Sequence, residues 1–235
     1  DMPEGDTVHR NANVLRREIE GRTLERFIVR DRGEVPELHG RRIEKIEAIG
    51  KHLLIHIESG WTLRIHLGMH GGWRRRHVRE PVPRDTTAML VVGETAYTCE
   101  RAYTAELMRT RAVRTHPRLS RLGPDLLAEP PDIEEAVRRA SAPAHADREI
   151  GDVLLDQRIA AGIGNVYKSE VLFECRVHPR ARVRQLAQAQ LTALFDRAAH
   201  LMRLNLLTRR RTAVPLRRRP QPSSQRLWVY MREGR

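Results

Sequence analysis

Leu155-Asp156-Gln157-Arg158-Ile159-Ala160-Ala161-Gly162-Ile163-Gly164-Asn165-Val166-Tyr167-Lys168-Ser169-Glu170 sets a tight glycine turn between two segments of helical character. Residues 151–160 and 166–174 space their apolar side chains as helices do, and Ala161-Gly162-Ile163-Gly164-Asn165 joins them. Glycines in such a turn let backbone N–H groups approach a phosphate, and the start of a helix favours negative charge. Asn165 suits the cap of the second helix, and its amide can donate to a phosphate oxygen. A plain helix–helix connector has the same composition, so the turn alone leaves function open.

Downstream, residues 186–207 form a strongly amphipathic helical pattern. Residues 208–225 read as a basic, proline-containing mobile loop, and Leu227-Trp228-Val229-Tyr230 as a short strand. Upstream, Gly123-Pro124 and Pro130-Pro131 punctuate a connector. Residues 132–141 place Ile133, Ala136, Val137 and Ala140 on one side of a helix. Before about residue 119 the period changes. Asp6 or Thr7 can cap a leading helix whose one face carries Val8, Ala12, Leu15 and Ile19, with Gly21 as its stop. Strand-like segments follow at 23–30, 41–49, 52–57, 61–67, 86–92 and 95–99, and Trp61, Leu63, Ile65 and Leu67 alternate cleanly. Glu58-Ser59-Gly60 reads as a hairpin turn, and residues 68–72 as a flexible loop between strands. The predicted fold class is therefore α+β, with an antiparallel β-sandwich flanked by helices over residues 1–118, a linker over 119–131 and a helical domain over 132–235.

The formal net charge of +13 over 235 residues points to a polyanionic partner, with nucleic acid first. Only Lys45, Lys51 and Lys168 of the 43 basic residues are lysine, so an arginine-rich proteome accounts for part of the charge. No apolar run of about 18 residues exists to span a membrane, and no signal-like segment opens the chain. Cys99 and Cys175, the two cysteines, make neither a disulfide framework nor a zinc site. A reducing cytoplasm is the expected setting.

Pro3-Glu4 is an unusual opening. Proline alone has a secondary terminal amine; once freed it can attack an electrophilic carbon and form an iminium directly, with the adjacent carboxylate moving protons. The plain alternative is a proline that starts a helix. Lys51 follows Gly50 in a turn between strands, where it is either solvated or placed as a cation on a phosphate or sugar.

Met2-Pro3-Glu4-Gly5-Asp6-Thr7-Val8, Ile49-Gly50-Lys51-His52-Leu53-Leu54, Ile65-His66-Leu67-Gly68-Met69, Leu122-Gly123-Pro124-Asp125-Leu126-Leu127, the opening stretch 155–170 and Leu227-Trp228-Val229-Tyr230 run in order over nearly the whole chain. Together they resemble the formamidopyrimidine-DNA glycosylase and endonuclease VIII family of base-excision repair enzymes. The Pro-Glu-Gly-Asp-Thr start is nearer to endonuclease VIII of actinobacterial type. The resemblance implies a helix–two-turn–helix in the second half, with double-stranded damaged DNA in a cleft between the domains. It implies a monomer at work in the bacterial cytoplasm, on the nucleoid. It also implies removal of oxidised bases, pyrimidines foremost, followed by β,δ-elimination.

On this resemblance Pro3 is the nucleophile and Schiff-base former, Glu4 the general acid/base, and Lys51 a neutraliser of phosphate or aid to proton transfer. Met69 is the wedge that replaces the flipped base. Asn165, with Gly164 and Lys168, binds DNA at the helix–two-turn–helix. Glu170 matches a structural or sugar-side carboxylate, with a helix-surface glutamate as the alternative. Arg101 and Tyr103 are the candidates for the other hole-filling residues, although the sequence around Cys99 departs from the family pattern. The arginine runs 74–76, 209–211 and 217–219 either track the DNA backbone or are solvated, and residues 208–225 correspond to a loop that closes over the flipped base. His52, His56 and His66 are expected to be ordinary histidines rather than zinc ligands.

Two further departures matter. Met2 reads as the initiator and Asp1 as a residue set ahead of it; while they remain, the Pro3 nitrogen is an amide and the chain is expected to be silent. The family's zinc-bearing hairpin of four cysteines should begin where this sequence stops, just after Tyr230; it is either truncated or unobserved, or this member lacks it, so zinc is expected only if the hairpin exists and no cofactor is assigned to the residues present. Alternatives to the enzyme are a catalytically weak relative that binds abasic or damaged DNA, and an RNA-binding helix–two-turn–helix protein that would leave Pro3-Glu4 unexplained.

Overall fold

The computed structural model describes residues 2–208, 210–215 and 226–232. Asp1, Arg209, the arginine run 217–219 and most of the expected closing loop lie outside the described residues. The chain divides into two compact units. Met2 and Pro3 group with Thr7–Ser120, and Glu4–Asp6 group with the residues from Arg121 on.

The first unit is an antiparallel β-sandwich. Helix α1 (Gly5–Ile19) leads into it and buries Val8, Ala12, Leu15 and Ile19, the face set by their helical spacing. Pro3 lies ahead of this helix, so it does not occupy the first helical turn. One sheet has the order β2 (Gly33–Glu34), β1 (Arg26–Val29), β7 (Thr86–Val92), β8 (Thr95–Glu100), β6 (Gly72–His77). The other has the order β3 (Ile43–Ile49), β4 (His52–Ile57), β5 (Trp61–His66), β9 (Thr104–Arg109). Phe27, Val29 and Leu90 from the first sheet join Ile55, Leu63 and Ile65 from the second in one core. The β4–β5 turn places three residues between paired Ile57 and Trp61, and Ser59 and Gly60 take φ of +75° and +78°, in the left-handed region.

The second face of β5 is also buried, but it is polar. Arg64 donates through Nε and Nη2 to Glu106 Oε2 at 2.9 and 2.8 Å, and Nη1 lies 3.2 Å from His52 Nδ1. His116 Nε2 shares the same Glu106 oxygen at 3.2 Å. His56 is tied to Thr62 and Glu47 at 2.8 and 3.0 Å.

Two strands depart from the sequence expectation. Residues 72–77 form edge strand β6 rather than continuing a loop; its arginines carry no apolar alternation because one side of an edge strand is wet. Two of these arginines have carboxylate partners, Arg75 with Glu18 at 3.1 Å and Arg76 with Glu100 at 2.8 Å, and Arg74 donates to the Trp73 carbonyl at 3.0 Å. Strand β9 follows a bend at Arg101, whose φ of +53° puts a non-glycine residue in the left-handed region.

The second unit is helical. Helices α2 (Ile133–Ala140), α3 (Ile150–Leu155), α4 (Asn165–Glu174) and α5 (Gln188–Leu204) pack around Ile150, Val153, Leu194 and Phe195. Asp132 caps α2 by accepting from the Glu135 N–H at 2.9 Å. The expected helix over 151–160 ends at Leu155, and residues 156–164 make the two turns. Gln157 organises them: its Nε2 donates to the Leu155 and Ile163 carbonyls, both at 2.9 Å, and its Oε1 accepts from the Gly162 N–H at 3.0 Å. The expected strand at Leu227–Tyr230 is instead a series of bends with no ladder among the described residues.

Candidate active site

The side chain of Glu4 is fully buried at the start of α4. Its carboxylate accepts the backbone N–H of Gly164 and of Val166, each at 2.7 Å, and that of Tyr167 at 3.4 Å. A helix N-terminus leaves these donors without intrahelical partners, and a carboxylate answers them with charge-assisted bonds. Gly5 adds a backbone bond to the Gly162 carbonyl at 2.9 Å. The glycine turn is thus filled by the chain's own start. A Cβ on Gly164 would sit 2.4 Å from Glu4 Cδ, and a Cβ on Gly5 2.9 Å from Gly162 Cα. Gly164, not Asn165, occupies the cap position, and Asn165 is the first helical residue. Asn165 is exposed, with its Oδ1 3.0 Å from Lys168 Nζ.

Pro3 lines a cavity of about 350 Å³ in the first unit, together with Thr7, Asn11, Met69, His70, Trp73, Arg74 and Arg101. Two predicted site residues, Met69 and Arg101, therefore meet Pro3 there; Lys51 is not among its walls. Met69 is 63% exposed and Tyr103 71%, and their loops pack against each other. The Tyr103 N–H donates to the Leu67 carbonyl at 3.3 Å, and a Cβ on Gly68 would meet Tyr103 Cβ at 2.7 Å. Gly68, at φ +67°, also donates its N–H to His66 Nδ1 at 3.2 Å. Two large apolar side chains thus stand out from one braced platform, the form an intercalating wedge needs.

Lys51 follows Gly50, whose φ of +56° makes the β3–β4 turn. The His52 and His66 rings lie 5.0 Å apart on paired strands. Burial pushes His66 down to about 4, helped by the charges of Lys51, Arg64 and Arg118. Burial likewise takes His52 down to about 3, with His66, Arg64, His116 and Arg118 adding to it. An unfolded histidine takes up a proton near pH 6.5, whereas the folded pair resists until well below that. The unfolded state binds more protons in this window, so stability is lost as pH falls from about 6.5 towards 4. We expect the urea-unfolding free energy to fall by on the order of 1–2 kcal/mol per histidine between pH 7 and 5. His52→Gln should flatten that slope; a pH-independent wild type would contradict the assignment.

Glu170 is 1% exposed, and its carboxylate accepts the backbone N–H groups of Trp228, Val229 and Tyr230 at 2.5–2.9 Å. Its charge holds the 228–230 bends against α4. Arg211, part of an arginine run in the sequence, is 4% exposed and bonded to Asp6, with Nη2 2.8 Å from Oδ1. Neither Gln157 nor Arg211 carries a sequence signal that separates it from its neighbours. No group of three or more metal-ligating side chains occurs among the described residues. Both cysteines are free, and burial pushes the Cys99 thiol up to about 12. The two cysteines cannot supply a four-cysteine zinc site. No helix among the described residues is long and apolar enough to cross a membrane.

The formamidopyrimidine-DNA glycosylase N-terminal domain matches residues 2–105, and the formamidopyrimidine-DNA glycosylase H2TH domain matches residues 122–214. The chain is 35% identical over 238 residues to Endonuclease 8 2 of Mycobacterium tuberculosis, covering 99% of this chain and 89% of that protein. It is 32% identical over 217 residues to Endonuclease 8 of Salmonella arizonae, covering 90% and 82%. The Lactococcus lactis Fpg (MutM), solved in complex with DNA containing N7-benzyl-Fapy-dG, superposes with a TM-score of 0.76 at 24% identity. That match covers 87% of this chain and 79% of that one, and it is a likeness of fold.

Proposed function

The chain belongs to the formamidopyrimidine-DNA glycosylase and endonuclease VIII family, and from that premise we propose that it is a bifunctional DNA glycosylase and abasic-site lyase. In this reading it removes oxidised bases, pyrimidines foremost, from double-stranded DNA and then cuts the strand by β,δ-elimination. The observation that carries the reading is the Pro3-Glu4 pair itself. Pro3 faces a cavity, while the next side chain is fixed as a carboxylate by three N–H groups at the start of α4.

The chemistry follows from these two residues. With Pro3 terminal, its secondary amine attacks C1′ of a flipped nucleotide. The C1′–N-glycosyl bond breaks, and the base leaves with the electron pair and a proton. The nitrogen loses its own proton, and the C1′–O4′ bond then breaks as O4′ takes up a proton, so that the opened sugar carries C1′ as an iminium carbon. Glu4, the buried carboxylate, carries protons between sugar and leaving group. Loss of a C2′ proton then expels the 3′ phosphate, and a second elimination expels the 5′ phosphate. An α-amino group titrates near pH 7.7–8, so a useful fraction is a neutral nucleophile in the cell. While Met2 is attached, that nitrogen is an amide and cannot form an iminium. Lys51 neutralises phosphate charge, Asn165 and Lys168 contact the backbone from the exposed start of α4, and Met69 with Tyr103 and Arg101 fills the gap in the stack.

The test is a chain beginning at Pro3, given duplexes with an oxidised pyrimidine. Release of the base and cutting at the lesion support the enzyme. Binding of abasic or damaged duplex without either product would favour a catalytically weak damage binder instead.

A further inference from the structure

We propose that Arg211 is a positioning residue for Glu4, fixing through Asp6 the first turn of α1 and holding the Glu4 carboxylate in place; this rests on the reading of Glu4 as the group that moves protons. Arg211 Nε lies 3.1 and 3.0 Å from Asp6 Oδ1 and Oδ2, Nη2 lies 2.8 Å from Oδ1, and Nη1 lies 4.0 Å from Glu4 Oε1. Its guanidinium carbon is 5.4 Å from the centre of the Tyr167 ring, and the Tyr167 N–H is itself a donor to Glu4. Glu4, Asp6, Tyr167 and Arg211 form one buried cluster.

The arginine is held from behind. Buried Asn205, just after α5, donates Nδ2 to the Leu201 and Thr212 carbonyls at 2.8 and 3.0 Å, and its Oδ1 accepts the Thr212 N–H at 2.9 Å. The residue next to Arg211 is thus tied to the end of a long helix, so the guanidinium is placed by the fold. A buried, forked bond to a carboxylate leaves it no face for a DNA phosphate.

Charge explains why a cation is needed there. Two carboxylates two residues apart, both out of water, repel each other strongly. The N–H groups of Gly164, Val166 and Tyr167 serve Glu4, and Arg211 serves Asp6 while adding its field to Glu4. Burial works against the guanidinium's charge, but Asp6 and Glu4 outweigh it and keep Arg211 protonated. Buried ion pairs contribute little net stability; here the pair stands where the orientation of a reacting group depends on it.

The experiment uses the chain beginning at Pro3, with Arg211→Gln, Arg211→Lys and Asp6→Asn. It reads single-turnover base release from an oxidised-pyrimidine duplex, duplex Kd and melting temperature. Arg211→Gln is expected to slow release at saturating enzyme about 100-fold, with Kd changed less than about threefold. Arg211→Lys should recover part of the loss by restoring the charge, and Asp6→Asn should slow release about tenfold. Weaker Kd with unchanged release at saturation would make Arg211 a phosphate contact and overturn the proposal. A lower melting temperature in all three variants with unchanged release would make it structural only, and overturn it too. If Arg211→Gln does not fold, the same split is read from the other two variants. A wild-type chain that releases no base overturns this proposal together with the proposed function; wild-type release with unaffected variants overturns this one alone.

Discussion

Gly164→Ala is expected to slow single-turnover base release about 100- to 1,000-fold, the scale of losing a placed catalytic group. The cause is a collision. The new Cβ would lie 2.4, 2.6 and 2.8 Å from Glu4 Cδ, Cγ and Oε1, closer than any real contact. Gly164 is in extended backbone at φ −124°, a conformation alanine adopts freely, so strain at residue 164 is not the reason. Glu4 must move, and it then gives up the N–H groups that hold it at the start of α4. Leaving those donors and a buried carboxylate poorly paired costs about 1–3 kcal/mol of stability. Quench-flow base release and urea unfolding measure the two effects together. Asn165→Ala, one residue on, is the contrast: it should weaken duplex binding and leave release at saturation intact. A Gly164→Ala chain with wild-type release would mean that Glu4 does not act from the position seen here.

Met69→Ala has the second large effect, and its signature is the opposite. The side chain is exposed, so stability should change by no more than about 0.5 kcal/mol. Extruding a base leaves an unstacked gap worth a few kcal/mol. Without the thioether to fill it, base release should fall about 10- to 100-fold. A preformed abasic site has no base to extrude, so its cleavage should change less than about threefold. Tyr103→Ala, on the neighbouring loop, is expected to act in the same sense. Equal losses on lesion and abasic duplexes would remove the wedge from the account.

Much of the fold was legible because it is periodic. Val8, Ala12, Leu15 and Ile19 announce α1, and Trp61, Leu63, Ile65 and Leu67 announce β5. What periodicity hid has physical causes. Strand β6 is an edge strand of arginines, whose pattern is set by solvent and ion pairs. Strand β9 begins after Arg101, a left-handed turn residue that is not glycine. Leu227-Trp228-Val229-Tyr230 looks like a strand because it is apolar, yet the N–H groups of Trp228, Val229 and Tyr230 go to Glu170, far away in sequence. The site was legible only in pieces. The glycines at 162 and 164 looked like room for a phosphate; in the fold they make room for Glu4 and Gly5, about 160 residues earlier. Arg211 was one of several arginines in a row, and only burial beside Asp6 separates it from the others.

The proposed function requires the Pro3 nitrogen to become the covalent link to DNA once it is a terminal amine. The direct measurement is borohydride trapping on an abasic duplex, with the linked peptide identified by mass, for chains beginning at Met2 and at Pro3. An adduct is expected on Pro3 in the second chain and none in the first. An adduct formed with Met2 still attached, or one carried by Lys51 in place of Pro3, would contradict it.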